Sequence, residues 1–178
     1  MQIDEKFRIV LPIRFADDGS VLLRIYHTPI SREIFEANYR IIGATFSALM
    51  TPAPQISAPR IAALRLRDEG RRDAKERNAG AYDDGGAEAL LAEIKRLTSV
   101  LAPQANKWTM LPVETAIANA TIDDEEWKEV ENALVFFTCL YTMVMKSERN
   151  KMMEAVVSIT GASITSLSPT DYVASLTT

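Results

Sequence analysis

A chain of 178 residues with a formal net charge of -4 and a pI near 5.1 can bury a sizeable core, but it is too acidic for phosphate to be its main partner, which calls for a basic face. Hydrophobic residues make up 47% and charged residues 25%, as in an ordinary soluble domain, and no apolar run approaches the roughly 18 to 20 residues of a membrane span. The single cysteine, Cys139, and single histidine, His27, exclude an internal disulfide framework and a Cys- or His-rich zinc site.

Phe7 to Phe15 (FRIVLPIRF) and Val21 to Tyr26 (VLLRIY) predict two strands. The Asp-Gly turn signal between them makes a β-hairpin over 7-26. Ile9, Leu11, Ile13 and Phe15 share one face, and Arg8, Arg14 and Arg24 mark a wet one. Pro12 lacks an N–H, which suits an edge strand or a bulge. A helix over 29-50 follows, with Thr28 as cap, Pro29 in the first turn and Phe35, Tyr39, Ile42, Phe46 and Leu49 as its stripe. Pro52, Pro54 and Pro59 place a loop over 51-59.

The next helix, 60-78, is charged, with Ile61, Leu64 and Leu66 for its buried face. Its arginines, from Arg60 to Arg77, interleave with Asp68, Glu69, Asp73 and Glu76, which describes a solvated face better than a nucleic-acid patch. Gly70 weakens this helix by about 1 kcal/mol relative to alanine. A flexible loop over 78-86 leads to a helix over 87-102, with Leu90, Ile94, Leu97 and Leu101 as its stripe and Pro103 as its stop. Trp108 to Ala120 holds a short helix beginning near Pro112, with Val113 and Ile117 inward.

The strongest periodicity runs over 123-146. Trp127, Val130, Leu134, Phe137, Tyr141 and Val144 recur at three- and four-residue steps and so share one helix face. Asp123 and Glu126 form a capping box, which accounts for that run of carboxylates without calcium. A helix over 148-160 carries Met152, Val156 and Ile159, and a final short helix carries Tyr172, Val173 and Leu176. The expected fold class is mainly α (α+β): a single domain over 1-178, with an N-terminal β-hairpin followed by a helical bundle of about five to six helices.

Chemistry is sparse in this pattern. Cys139 sits in the middle of the long apolar helix, where a thiol packs inertly. His27 ends a strand in a structural or surface role, and no nucleophile stands in a recognisable motif. The expectation is no enzyme, no cofactor and no metal. Met143, Met145, Met152 and Met153 cluster around a helix bend. Methionine adapts its shape and is over-used at promiscuous binding surfaces, so these four are the candidate partner-binding residues. The competing reading is a soft patch of core.

The order of features carries a resemblance. FRIVLPIRFADDGSVLLRIYHTPISREIFEANYRI precedes a proline-rich break, a charged helix, LLAEIKRLTSVLAP and DDEEWKEVENALVFFTCLY. Most of the chain, most strongly Phe7–Ile42 and Asp123–Tyr141, resembles phage and prophage tail assembly chaperones. The resemblance implies a cytoplasmic factor of the bacterial host cell that binds the tail tape measure protein and keeps it soluble while tail tube subunits assemble. It implies no catalytic residues, no nucleic acid, no membrane and absence from the finished virion. The alternative is a structural tail-completion, connector or minor tail protein, a homo-oligomer whose hairpin joins a ring by edge pairing.

Overall fold

A computed structural model describes residues 2–3, 8–51, 58–77, 83–104, 107–148, 151, 163–164, 173 and 176. Met152, Met153, most of the helix expected over 148-160, and most of both expected loops lie outside them. The strands are β1 (Gln2–Ile3), β2 (Ile9–Phe15), β3 (Val21–His27), β4 (Thr98–Gln104), β5 (Lys107–Pro112) and β6 (Ser163–Ile164). The helices are α1 (Arg32–Met50), α2 (Ala58–Glu76), α3 (Ala87–Arg96), α4 (Val113–Ala118) and α5 (Asp124–Met143). The chain divides into a sheet unit (1–29, 96–127 and 146–178) and a helical unit (30–95 and 128–145).

In the sheet unit the strand order is β5-β4-β3-β2-β1-β6. The four strands β5-β4-β3-β2 are antiparallel throughout, and β6 runs parallel to β1. This overturns the expectation of a hairpin ahead of a helical bundle: among the described residues the fold is α+β, with five α-helices and a sheet that is antiparallel from β5 through β1. The discrepancy lies in residues 97–112. Leu97 and Leu101 continue the helical spacing of Leu90 and Ile94, but α3 stops at Arg96 and Thr98–Gln104 is a strand. Thr98 and Val100 are β-branched, and pairing of His27 with Thr98 and Arg24 with Leu101 outweighs a helical spacing. Trp108 likewise lies in β5, paired with Pro103.

The hairpin strands therefore lie inside the sheet. Pairing slips on either side of Arg14, which stands opposite Leu23, and returns to its first register at Phe15 opposite Val21, so the irregularity is confined to Arg14 and its neighbours. Ile9 is buried, whereas Phe15 is 55% exposed. Arg14 then meets Glu126 in a two-pronged pair, Nε to Oε1 at 2.7 Å and Nη2 to Oε2 at 2.6 Å. Glu126 also completes the capping box: its Oε2 accepts from the Asp123 amide at 3.0 Å, and Asp123 Oδ1 accepts from the Glu126 amide at 2.8 Å. One carboxylate thus starts α5 and anchors the bulged strand to it. The bond to Glu126 raises the Arg14 guanidinium above its ordinary pKa.

In the helical unit α1 starts later than expected. Ser31, not Thr28, is the cap, accepting from the Ile34 amide at 3.3 Å, while the Thr28 amide donates to the Leu97 carbonyl at 3.0 Å. The buried face of α1 is Ile41, Ile42, Thr45 and Leu49, and Tyr39 is exposed. On α2, Leu64 is exposed and the buried face is built from Ala58, Ala62, Ala63, Leu66, Glu69, Gly70 and Ala74. Small side chains let neighbouring backbone come close. A Cβ on Gly70 would overlap the Asp84 carbonyl and lie 2.8 Å from the Ala87 Cβ. Arg67 ties three helices together, donating to Glu88 of α3 at 2.8 Å and to Glu131 of α5 at 3.0 Å.

Candidate protein-binding surface

The long stripe of α5 is buried through most of its length. Trp127, Val130, Leu134 and Phe137 are core residues, while Tyr141 and Val144 are half-buried. Cover then runs out. Met143 is 41% exposed and Met145 66% exposed, and a 3-10 turn, Lys146–Glu148, follows. The Thr142 hydroxyl donates to the Thr138 carbonyl at 2.7 Å, a back-bond that bends and weakens a helix end. On α1, Gly43 lies beside Met143: a Cβ there would stand 3.8 Å from the methionine Cε. The missing side chain leaves the methyl end of Met143 room to change rotamer. Two flexible thioether chains therefore stand in solvent at the end of a helix whose apolar stripe is otherwise largely covered.

The structure makes no statement about Met152 and Met153, which lie outside the described residues. Other exposed apolar side chains are Tyr39 and Leu64 in the helical unit, and Phe15, Leu22 and Met110 in the sheet unit. Single exposed apolar residues are normal on a protein surface. The methionine pair differs in that its two members lie two residues apart at a helix end.

The two candidate chemical residues are both enclosed. Cys139 is 1% exposed, and burial pushes its thiol up to about 12, so it carries no thiolate near neutral pH. His27 is fully buried, with Nδ1 2.9 Å from the Thr98 hydroxyl. Burial pushes its imidazole down to about 3. They lie in different units. Among the described residues no group of three or more His, Cys, Asp or Glu is arranged to hold a metal ion.

His27 sets a pH dependence. In the unfolded chain its imidazole protonates near pH 6.5, and in the folded chain only near pH 3. Between those values the unfolded state binds the extra proton, so this residue makes stability fall as pH drops from 6.5 towards 3. The slope is about 1.4 kcal/mol per pH unit. Urea midpoints measured across that window should fall less steeply for His27→Gln. Equal slopes in the two proteins would mean that the folded imidazole is accessible to protons.

The helical unit also holds a cleft of about 410 Å³ lined by Asn38, Arg40, Asp73, Arg77, Gly85 and Gly86. Its charges satisfy one another. Asp73 accepts from Arg40 Nε on one oxygen and from Arg77 Nε on the other, both at 2.7 Å. Asp83 and Asp84 take up the amides of Gly85, Gly86 and Glu88 at the start of α3. Of the α2 arginines, Arg67, Arg71 and Arg72 each pair with a carboxylate, as does Arg77 just beyond the helix. No helix is long and apolar enough to cross a membrane among the described residues. Comparisons with protein-family models, curated proteins and solved structures return no match.

Proposed function

We propose that the protein is an assembly chaperone for a phage tail, holding the long helical tape measure protein before tail tube subunits enclose it. The observation that carries this reading is the exposed pair Met143 and Met145 at the end of α5. An apolar stripe on a long helix needs a shape-tolerant apolar partner, and methionine supplies one at small conformational cost. The resemblance of Phe7–Ile42 and Asp123–Tyr141 to tail assembly chaperones points the same way. The proposed setting is the cytoplasm of the bacterial host, with no cofactor.

The structural tail-component reading needs a free sheet edge for ring formation. The hairpin strands β2 and β3 are interior, so they offer none; among the described residues the edge strands are β5 and the two-residue β6, and β5 is the longer. A stable ring built through β5 would favour that reading.

The test is a pull-down with this protein as bait from phage-producing cells, beside a Met143→Asp, Met145→Asp variant. Both methionines are exposed, so the variant should keep its melting temperature within about 2 °C. It should lose at least about 90% of a long, helix-rich tail protein retained by the wild type, a loss of roughly 1.4 kcal/mol or more. Equal retention by both baits would sink the assignment of these residues. Recovery of the bait in finished particles would replace the chaperone with a structural component.

A further inference from the structure

The free edge of the sheet unit is a second surface, built from none of the methionine residues. β5 is six residues long, and β6 at the opposite edge has two. In antiparallel pairing the backbone groups of successive residues point alternately to the two sides of a strand. The Leu97 carbonyl accepts from the Thr28 amide on the β3 side at 3.0 Å. Ser99 and Leu101 therefore turn to β3 as well. Val100, Ala102 and Gln104 turn to β5, where they stand opposite Leu111, Thr109 and Lys107. That leaves the backbone groups of Trp108, Met110 and Pro112 pointing away from the sheet. Pro112 has no N–H to leave bare. The amides of Trp108 and Met110, and all three carbonyls, have no strand beside them among the described residues.

The side chains along this edge carry a second pattern. Met110 is 40% exposed, Lys107 and Pro112 are exposed, and Trp108, Thr109 and Leu111 are half-buried. An edge with an uncharged middle is a template for another strand. Charge is confined to its ends: across residues 97–122 only Lys107 and Glu114 are charged, and both are exposed. A parallel copy of this edge would set like charges together. An antiparallel copy sets each Lys107 beside the start of the partner's α4, where Glu114 stands. The edge is thus complementary to itself under two-fold rotation. A ring joined edge to edge would instead have to match six residues with two.

We propose that β5 is the contact through which two copies of this chain pair, antiparallel about a two-fold axis at Met110. The Met110 amide donates to the partner's Met110 carbonyl, and the Trp108 amide to the partner's Pro112 carbonyl. The Trp108 carbonyl, opposite a residue without N–H, stays with water. Thr109 lies across from the partner's Leu111, and Lys107 from the partner's Val113, next to Glu114. Such an interface uses the same patch on both copies and closes at two.

The test is sedimentation velocity of the full chain. It should show monomer and dimer in equilibrium, with a dissociation constant of about 1 to 100 µM, as suits a small interface. Met110→Pro removes an amide that the sheet does not use, a change an edge strand tolerates. It should remain folded by circular dichroism and raise the constant at least about tenfold, since symmetry removes the bond twice. Lys107→Glu and Glu114→Lys should each weaken the dimer about threefold or more at low salt, and the double reversal should return to within about twofold of the wild type. Amide exchange gives a readout without substitution. Thr109 and Leu111 should be protected at every concentration, and Trp108 and Met110 only as the dimer forms. Should Met110→Pro fail to fold, the charge reversals and the exchange pattern decide. A chain still monomeric at about 500 µM, a dimer indifferent to a folded Met110→Pro, a double reversal that rescues nothing, or assembly beyond two copies overturns the proposal.

Discussion

Leu134→Asp abolishes the cooperative unfolding transition. Leu134 is fully buried at the centre of the α5 stripe, with Val130, Val135 and Phe137 buried around it. The substitution removes an isobutyl group from a packed interior and puts an ionisable group in its place. Loss of the leucine alone costs about 2 to 5 kcal/mol. An unpaired buried carboxylate adds several more, or takes up a proton to avoid them. The sum approaches the whole stability of an ordinary domain, about 5 to 15 kcal/mol. Circular dichroism during a urea titration should show a sloping loss of signal in place of a transition. Leu134→Met, nearly equal in volume, should cost less than about 1.5 kcal/mol. A wild-type melting temperature for Leu134→Asp would put this stripe on the surface and make it, rather than the methionine pair, the docking face.

Gly70→Ala tests a conflict of sign. Helix propensity alone predicts a gain of about 1 kcal/mol from replacing a mid-helix glycine. The packing predicts a loss. A Cβ at position 70 would run into the Asp84 carbonyl and press on the Ala87 Cβ. The turn that carries Asp84 is poorly placed to retreat. The Asp84 carboxylate is bonded to the Gly86 and Glu88 amides at 2.9 and 3.0 Å. Gly85 has a φ of +64°, and a Cβ on it would run into the Gly70 carbonyl. Two glycines face each other so that two stretches of backbone can touch. Overpacking against backbone commonly costs about 1 to 3 kcal/mol and exceeds the propensity gain here. The expected net loss is about 1 kcal/mol, read as a lower urea midpoint at unchanged slope, and a stabilised Gly70→Ala protein would show that the turn yields easily.

The same two examples mark what a sequence discloses. The α5 stripe is legible because one helix face must be apolar for it to pack, and the capping box repeats the message at Asp123 and Glu126. The hairpin is legible because Asp-Gly permits few alternatives. Gly70 is visible only as a weak point in a helix, since its partner, Asp84, is identified by folding and not by spacing. Leu97 and Leu101 mislead because their four- and three-residue steps from Leu90 and Ile94 serve equally as the end of a helix or as positions in a buried strand. The β-branched pair Thr98 and Val100 was the available counter-signal. The apolar face of α2 is only partly legible because alanines, more than leucines, line a helix face where helices approach closely. Arg24 reads from the sequence only as part of a wet strand face, because its contact with Trp108 is made through the pairing of β3, β4 and β5.

One consequence of the strand order concerns the ribosome. β3 pairs with β4 through residues such as His27 and Thr98, 71 positions apart. The interval is filled by α1, α2 and α3, which belong to the other unit. At ordinary synthesis rates of about 5 to 20 residues per second, the hairpin waits roughly 4 to 14 seconds for its neighbour. Through that interval the nascent chain presents the bare edge of β3, with Ile25 and Tyr26 still in water. Until the second half of its sheet has been made, the newborn chain carries the kind of bare strand edge on which other chains pair and aggregate.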